Sequence, residues 1–178
     1  VAADDSGSVN EGAGVILNLA SNDTDADDGL DLTSIAIVSG PANGSLLNHG
    51  DGTVTYTHNG SETTSDSFTY SIEDPSNTIS NTATVSITIT PQNDAPVASD
   101  DSGSVNEGAG VILNLAANDT DADDGLDLTN RKSVTRGESV SDRIDLGGSG
   151  TFKQKRSEPT SDSFTYTVSD GTLVSSPV

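Results

Sequence analysis

The chain has 178 residues, with 28 Asp and Glu against seven Lys and Arg and a formal net charge of −21. It contains no Cys, Met or Trp, which excludes a disulfide framework and a thiolate metal site. Charge of this sign disfavours nucleic acid and anionic membrane surfaces as partners, because both are polyanions.

No apolar run approaches the roughly 20 residues of a membrane span; the longest is GVILNLA at 14–20. Any targeting sequence is therefore expected outside this segment. Val1 falls in the middle of a motif, so a piece of a longer protein is expected.

In chain order, alternation of apolar and polar residues predicts strands. The first is an extended start around Ser8 to Asn10, and VILNL (15–19), LTSIAIV (32–38) and GSLLN (44–48) follow. A hairpin closed by GDG (50–52) leads into TVTYTH (53–58), and then come SFTYSI (67–72) and ATVSITIT (83–90). Thr, Ser, Val and Ile dominate and no stretch carries a 3.6-residue apolar stripe, so helix is not expected. About seven short strands per repeat is the count of an immunoglobulin-like β-sandwich. The expected core of the first repeat is Ile16, Leu19, Ile35, Ile37, Tyr56, Phe68, Tyr70, Val85 and Ile87.

Residues 97–129 repeat residues 1–33 with two changes, Ala3/Ser99 and Ser21/Ala117, and TSDSFTY recurs at 64–70 and 160–166 with the same offset of 96. The chain is a tandem array: repeat 1 at 1–92, a proline-bounded linker at 93–96, and repeat 2 at 97–178, which stops before an equivalent of ATVSITIT and so lacks its last strand. Between 130 and 159 the second copy departs from the first while keeping its length, and all seven basic residues fall in this window. A basic insert that recruits an acidic partner is one reading. Compensating frame changes or another local replacement is the favoured one, because the window loses the counterparts of Ile35, Ile37, Leu46, Leu47 and Val54 without a comparable alternation. Phe152, at the position of Tyr56, survives.

The stretch NDTDADDGLDL, at 22–32 and again at 118–128, places five carboxylates in eleven residues with no Lys or Arg. Calcium takes six to eight oxygen ligands without fixed geometry. Alternating Asp residues such as Asp23, Asp25 and Asp27 can turn oxygens to one centre past the small Thr24 and Ala26. The alternative is a solvated acidic loop that maintains solubility. An EF-hand is excluded, because counting from Asp23 puts Asp28 at the obligatory Gly and Ser34 at the bidentate Glu. A nonapeptide calcium roll fails because GGSGTFKQK has Phe152 where its Asp belongs. His49 and His58 are in no spaced pair with acids, which disfavours zinc, and both are replaced in repeat 2, which disfavours a general base. Paired carboxylates for glycoside hydrolysis would need a cleft that nothing marks, so no enzyme activity is expected. A carbohydrate-binding module is the alternative from another class, although Phe68 and Tyr70 alternate like core residues and no Trp is present to stack a sugar.

NTATVSITITPQNDAPVA (81–98), NEG (10–12 and 106–108), TDADDG (24–29 and 120–125) and VSDG (168–171) together resemble the cadherin-like tandem repeats of large bacterial surface adhesins, the VCBS and RTX-type adhesin repeats. The likeness covers nearly the whole chain apart from 130–159. It implies a calcium-binding sandwich strung in long arrays on or outside the cell, without catalysis. The array would act as a calcium-stiffened spacer whose partners are neighbouring repeats, cell-surface glycans or other adhesin copies. It further implies Ca2+ held at the joint by Glu11 of repeat 1, Asn93 and Asp94 of the linker, and Asp121, Asp123 and Asp170 of repeat 2. The linker departs from the family pattern: Pro91 stands where a further Asp is usual, and it is one residue shorter before Pro96. Repeat 1 has no clear DxE motif, and Asp66 stands in for that acid. Asp25 and Asp27, with Asp74 and Glu107 at the counterparts of Asp170 and Glu11, complete the candidate ligands.

The lost alternation of residues 130–159 leaves too little apolar surface to offset chain entropy. The second sandwich is therefore expected to be irregular and incomplete, with this window loosely packed or irregular and poorly protected from amide exchange in the native chain. Slow exchange throughout it would contradict the reading.

Overall fold

Period-two alternation becomes strand wherever one face can be buried. In the first repeat it yields β1 (Asp5–Asn10), β2 (Gly14–Asn18), β3 (Asp31–Ser39), β4 (Gly44–Asn48), β5 (Thr53–His58), β6 (Ser65–Glu73) and β7 (Ala83–Thr90). The structure is a computed structural model that describes residues 1–106, 108–123, 125–127, 132–135, 143–145, 149–153, 161 and 163–178. It divides into two compact units, Val1–Gln92 and Asn93–Val178. Among the described residues the only helical element is a 3-10 turn at Leu19–Ser21, and the fold is all-β, as the composition predicts.

The first unit is two sheets, one ordered β1-β7-β6-β3 and one ordered β2-β5-β4. β1 runs parallel to β7, pairing Asp5 with Val85 through Asn10 with Thr90, whereas β6 and β7 are antiparallel. Ala83, Val85, Ile87 and Ile89 of β7 are buried and the residues between them exposed, the signature of a strand with one face on the core. The facing sheet supplies Leu17, Val54 and Tyr56 to the same cluster, and β6 supplies Phe68, Tyr70 and Ile72.

Two of the expected core residues are elsewhere. Ile16 is 68% exposed and Ile37 is 37% exposed. Val15, Ile16 and Leu17 are all apolar, so the sequence does not reveal which phase of the alternation faces inward. The structure selects Leu17, followed by Leu19, which is fully buried in the 3-10 turn rather than in the strand. In β3 the pairing with β6 is irregular between Asp31 and Ala36 and again between Ile37 and Ser39, so Ile35 and Ile37 are not equivalent. The other expected core positions are buried.

The β4–β5 hairpin closes as GDG predicts, with the His49 N–H donating to the Thr53 carbonyl at 3.1 Å. Gly52 adopts φ +88°, and a Cβ there would also lie 3.1 Å from Ala20 Cβ. Close packing and left-handed backbone thus both demand glycine.

The second unit contains β8 (Gly110–Asn114), β9 (Lys132–Thr135), β10 (Arg143–Asp145), β11 (Ser149–Lys153) and β12 (Thr165–Thr167), in sheets ordered β10-β11-β8 and β12-β9. Its core includes Ala98, Leu115, Tyr166 and Val168, with Leu113, Leu126, Phe164 and Val178 packed against them. Within 130–159, the window expected to be loosely packed or irregular, the described residues form the short strands β9, β10 and β11; the rest of the window lies outside the described residues. Phe152 pairs with Val111 in the register in which Tyr56 pairs with Val15, so the ladder survives the change of sequence.

Phe68→Ala is expected to cost about 3–5 kcal/mol of the first unit's stability, because it opens a cavity in a close-packed core. Ile16→Ala should stay within about 0.5 kcal/mol, as an exposed position does. Chemical denaturation of the two variants measures both values.

Candidate metal centre

In the first unit the acidic loop begins with Asp23, whose carboxylate is buried. Tyr70 Oη lies 3.0 Å from each of its oxygens, and the Ala3 N–H donates to Oδ1 at 2.7 Å. Asp23 therefore does not share a centre with Asp25 and Asp27, as alternation along an extended chain would have it. The loop is not extended. Asp25 Oδ1 accepts the backbone N–H groups of Asp27, Asp28 and Gly29 at 2.9, 3.1 and 3.2 Å, an Asx-type turn. Those N–H groups, Asp27 and Asp28 foremost, hold the Asp25 carboxyl below the usual carboxylate range.

Because the chain turns, Asp25 meets Asp28 rather than Asp27. Asp25, Asp28 and Asp74 each offer an oxygen, all within 4.8 Å of one another. Asp28 also accepts from the Ser76 hydroxyl at 2.8 Å, and Asp74 from the Thr78 N–H at 2.8 Å. Asp27 is exposed and is not one of this group.

The second unit repeats the turn, with Asp121 Oδ1 accepting from the N–H groups of Asp123 and Gly125 at 3.1 and 3.2 Å. Two further hydrogen bonds draw the start of the unit onto it. The Asp94 N–H donates to Asp123 Oδ2 at 2.6 Å, and Asn93 Nδ2 donates to Asp170 Oδ2 at 2.7 Å. The Asn93 amide, followed by the N–H groups of Leu173 and Thr172, holds the Asp170 carboxyl far below the usual range. Asn93, Asp94, Asp121, Asp123 and Asp170 are thus linked by direct hydrogen bonds within one unit. Glu107 lies outside the described residues.

Glu11 follows β1 and accepts the Gln92 N–H on Oε2 at 3.2 Å. The acid that comes within 4.8 Å of it in the same unit is Glu62. His58 joins the segments that carry the two acids: its Nδ1 accepts the N–H groups of Gly12 and Gly60 at 3.2 and 3.3 Å, and its Nε2 bonds Thr63 Oγ1 at 3.0 Å. This buried histidine is a loop clamp, with both ring nitrogens engaged.

Asp66 is engaged elsewhere. Its Oδ1 accepts from Ala42 and Ser67 N–H, and its Oδ2 from Asn43 N–H and the Tyr56 hydroxyl. Burial pushes its carboxyl up, but these hydrogen bonds outweigh that and hold it below the usual range. Its role is to fasten the 40–44 loop. Glu62 escaped the sequence reading because no spacing rule links positions 11 and 62; a sheet pairing plus the His58 clamp brings them close.

The donor set is carboxylate with one side-chain amide, without thiolate or imidazole, which suits a hard cation such as calcium and not zinc. The first repeat also contains no Lys or Arg, so no side-chain ammonium or guanidinium of its own offsets the charge of Asp25, Asp28 and Asp74.

Residues 93–178 match the bacterial Ig domain family, and residues 1–91 match the bacterial cadherin-like domain family. No curated protein matches the chain. Similar solved structures include the endo-fucoidan hydrolase MfFcnA4 from glycoside hydrolase family 107, at 17% identity over 97% of this chain and 27% of that one, with a TM-score of 0.35. The N-terminal four Ig domains of Dscam1 isoform 4.44 share 14% identity over 99% of this chain and 50% of that one, with a TM-score of 0.34. The fibronectin(III)-like modules of Clostridium thermocellum CbhA share 8% over 98% and 87%, with a TM-score of 0.31. The chain spans 27% of the length of the hydrolase. With residues 1–91 of its 178 matched, the chain belongs to the bacterial cadherin-like domain family.

Proposed function

We propose that this repeat segment binds calcium and serves as a spacer in a secreted or cell-surface adhesion protein. The observation that carries the reading is the convergence of Asn93 and Asp94 on Asp170 and Asp123, beside the turn made by Asp121. A cation among these oxygens would offset repulsion that water only screens. It would also fix linker residues 93 and 94 to the repeat that follows them, which is how a flexible joint becomes stiff. The Asp25, Asp28 and Asp74 group is the corresponding cluster of the first repeat. Partners on this reading are neighbouring repeats, with cell-surface glycans or other adhesin copies at the adhesive end. Among the described residues no helix is long and apolar enough to cross a membrane.

Carbohydrate binding by stacking is disfavoured for the first unit, because its aromatics Tyr56, Phe68 and Tyr70 are all buried and present no aromatic face to a sugar.

Millimolar calcium is expected to raise the thermal midpoint. A ligand bound only by the native state stabilises it by about 2.7 kcal/mol at a hundredfold excess over its Kd. Magnesium should do less, since it demands tighter octahedral geometry and gives up water reluctantly. Equal midpoints in calcium and in chelator would remove the metal reading.

Backbone NMR relaxation of Asn93 to Ala95 tests the stiffening. Calcium should quench fast motion there in the native chain, and Asp121→Asn combined with Asp123→Asn should abolish the quenching while the first repeat stays folded. Linker motion indifferent to calcium would leave the segment a tether.

A further inference from the structure

Tyr70 brings a single hydroxyl into a pocket of oxygens in the first unit. Its Oη lies 3.0 Å from Asp5 Oδ2, 3.0 Å from both Asp23 oxygens, 3.0 Å from the Leu19 carbonyl and 3.2 Å from the Ala3 carbonyl. A phenol carries one hydrogen; ionised carboxylates and carbonyls carry none. If Asp5 and Asp23 were both ionised, at least one carboxylate would face the phenol oxygen with no hydrogen between them. Tyr70 and Asp23 are buried, and lone pairs opposed in such a place cost more than a lost surface contact.

Among the described residues of the first unit, no cationic side chain or terminus resolves this. The first repeat has no Lys or Arg. His49 and His58 are bonded to Thr55 and Thr63, and the Val1 ammonium donates to the Thr24 carbonyl.

We infer that the cluster holds a second hydrogen, carried by the Asp5 carboxyl, which donates to Tyr70 Oη while Tyr70 donates to Asp23. The hydrogen is placed on Asp5 because Asp23 Oδ1 already accepts the Ala3 N–H. Asp5 is faced by Tyr70 from β6, by Asp23 from the loop after the 3-10 turn, and by its neighbour Asp4. Burial first, then the charges of Asp23 and Asp4, push its carboxyl up, against the hydrogen bonds of Tyr70 and Asn22.

The arrangement is built rather than incidental, since the second unit repeats it. Tyr166 Oη lies 2.9 Å from Asp101 Oδ2, 3.0 Å from Asp119 Oδ1, and 2.9 Å from each of the Leu115 and Ser99 carbonyls. The change from Ala3 to Ser99 leaves it intact, because that residue contributes only backbone atoms.

The sign of the pH effect follows. A folded value raised above the ordinary 3.8 gives stability that is complete below the unfolded value and is lost as pH rises through the folded one. Asp5→Asn supplies a permanent N–H in place of the proton, so it should raise the first unit's thermal midpoint above that pH and remove the dependence. Asp23→Asn, which replaces one of the two oxygens that face Tyr70 Oη with an amide N–H, should lower it.

The decisive measurement is a carboxyl 13C NMR titration of the full chain in chelator. Asp5 should titrate above the ordinary aspartate range, well after Asp31 and the exposed Asp51, which Thr33 and Thr53 hold below it. Asp5 titrating with those two, or equal losses of stability from Asp5→Asn and Asp23→Asn, would overturn the inference. Should Asp23→Asn fail to fold, the titration of the unaltered chain decides alone.

Discussion

Three segments of the first repeat meet at the hydroxyl of Tyr70: the entry to β1 at Ala3 and Asp5, the 3-10 turn at Leu19, and the head of the acidic loop at Asp23. The ring carrying that hydroxyl is fully buried, so the polar contact is set by the same packing that forms the core. Much follows from it. Asp23 is pinned, so the loop departs from a fixed point, and its turn around Asp25 brings Asp25 and Asp28 toward Asp74. Asp74 itself follows the end of the strand that carries Tyr70. One strand thus positions both the anchor of the loop and the acid that the loop meets.

Most of the strand plan is visible in the sequence because alternation over six to eight residues, as in ATVSITIT, has one physical interpretation. Phase is visible only where polar residues mark the outward positions. Three apolar residues in succession at 15–17 conceal it, which is why Leu17 rather than Ile16 lines the core. The acids divide in the same way. Asn93, Asp94, Asp123 and Asp170 are recognisable by resemblance to a family and by nothing in their spacing, since long-range pairing brings them together. Reading Asp25 with Asp27 assumes an extended loop, and three backbone N–H groups converging on Asp25 Oδ1 make it a turn. Asp66 looks like a free acid in sequence, yet its oxygens accept hydrogen bonds from four residues.

Comparison of the two repeats shows which contacts tolerate sequence change. Those made by backbone atoms persist, as at Ala3 and Ser99, and as in the pairing of Phe152 with Val111. The acids fall into two populations with different demands. Asp5, Asp23 and Asp66 are fastened by hydrogen bonds inside the sandwich and belong to its stability. Asp25, Asp28 and Asp74 instead gather at a turn outside the core, without a Lys or Arg in their repeat. A net charge of −21 conceals this division.

The parallel pairing of β1 with β7 bears on how the first repeat would respond to tension. Asp5, where β1 begins, lies opposite Val85, and Asn10 lies opposite Thr90, where β7 ends. Tension applied through the two ends of the repeat would draw these strands past each other along their length. The six paired positions would then resist together in shear instead of opening one after another from an end. A sandwich with an antiparallel terminal pair would unzip under the same pull. Under such a load, resistance to rupture would come from strand direction and would require neither a larger core nor a covalent staple.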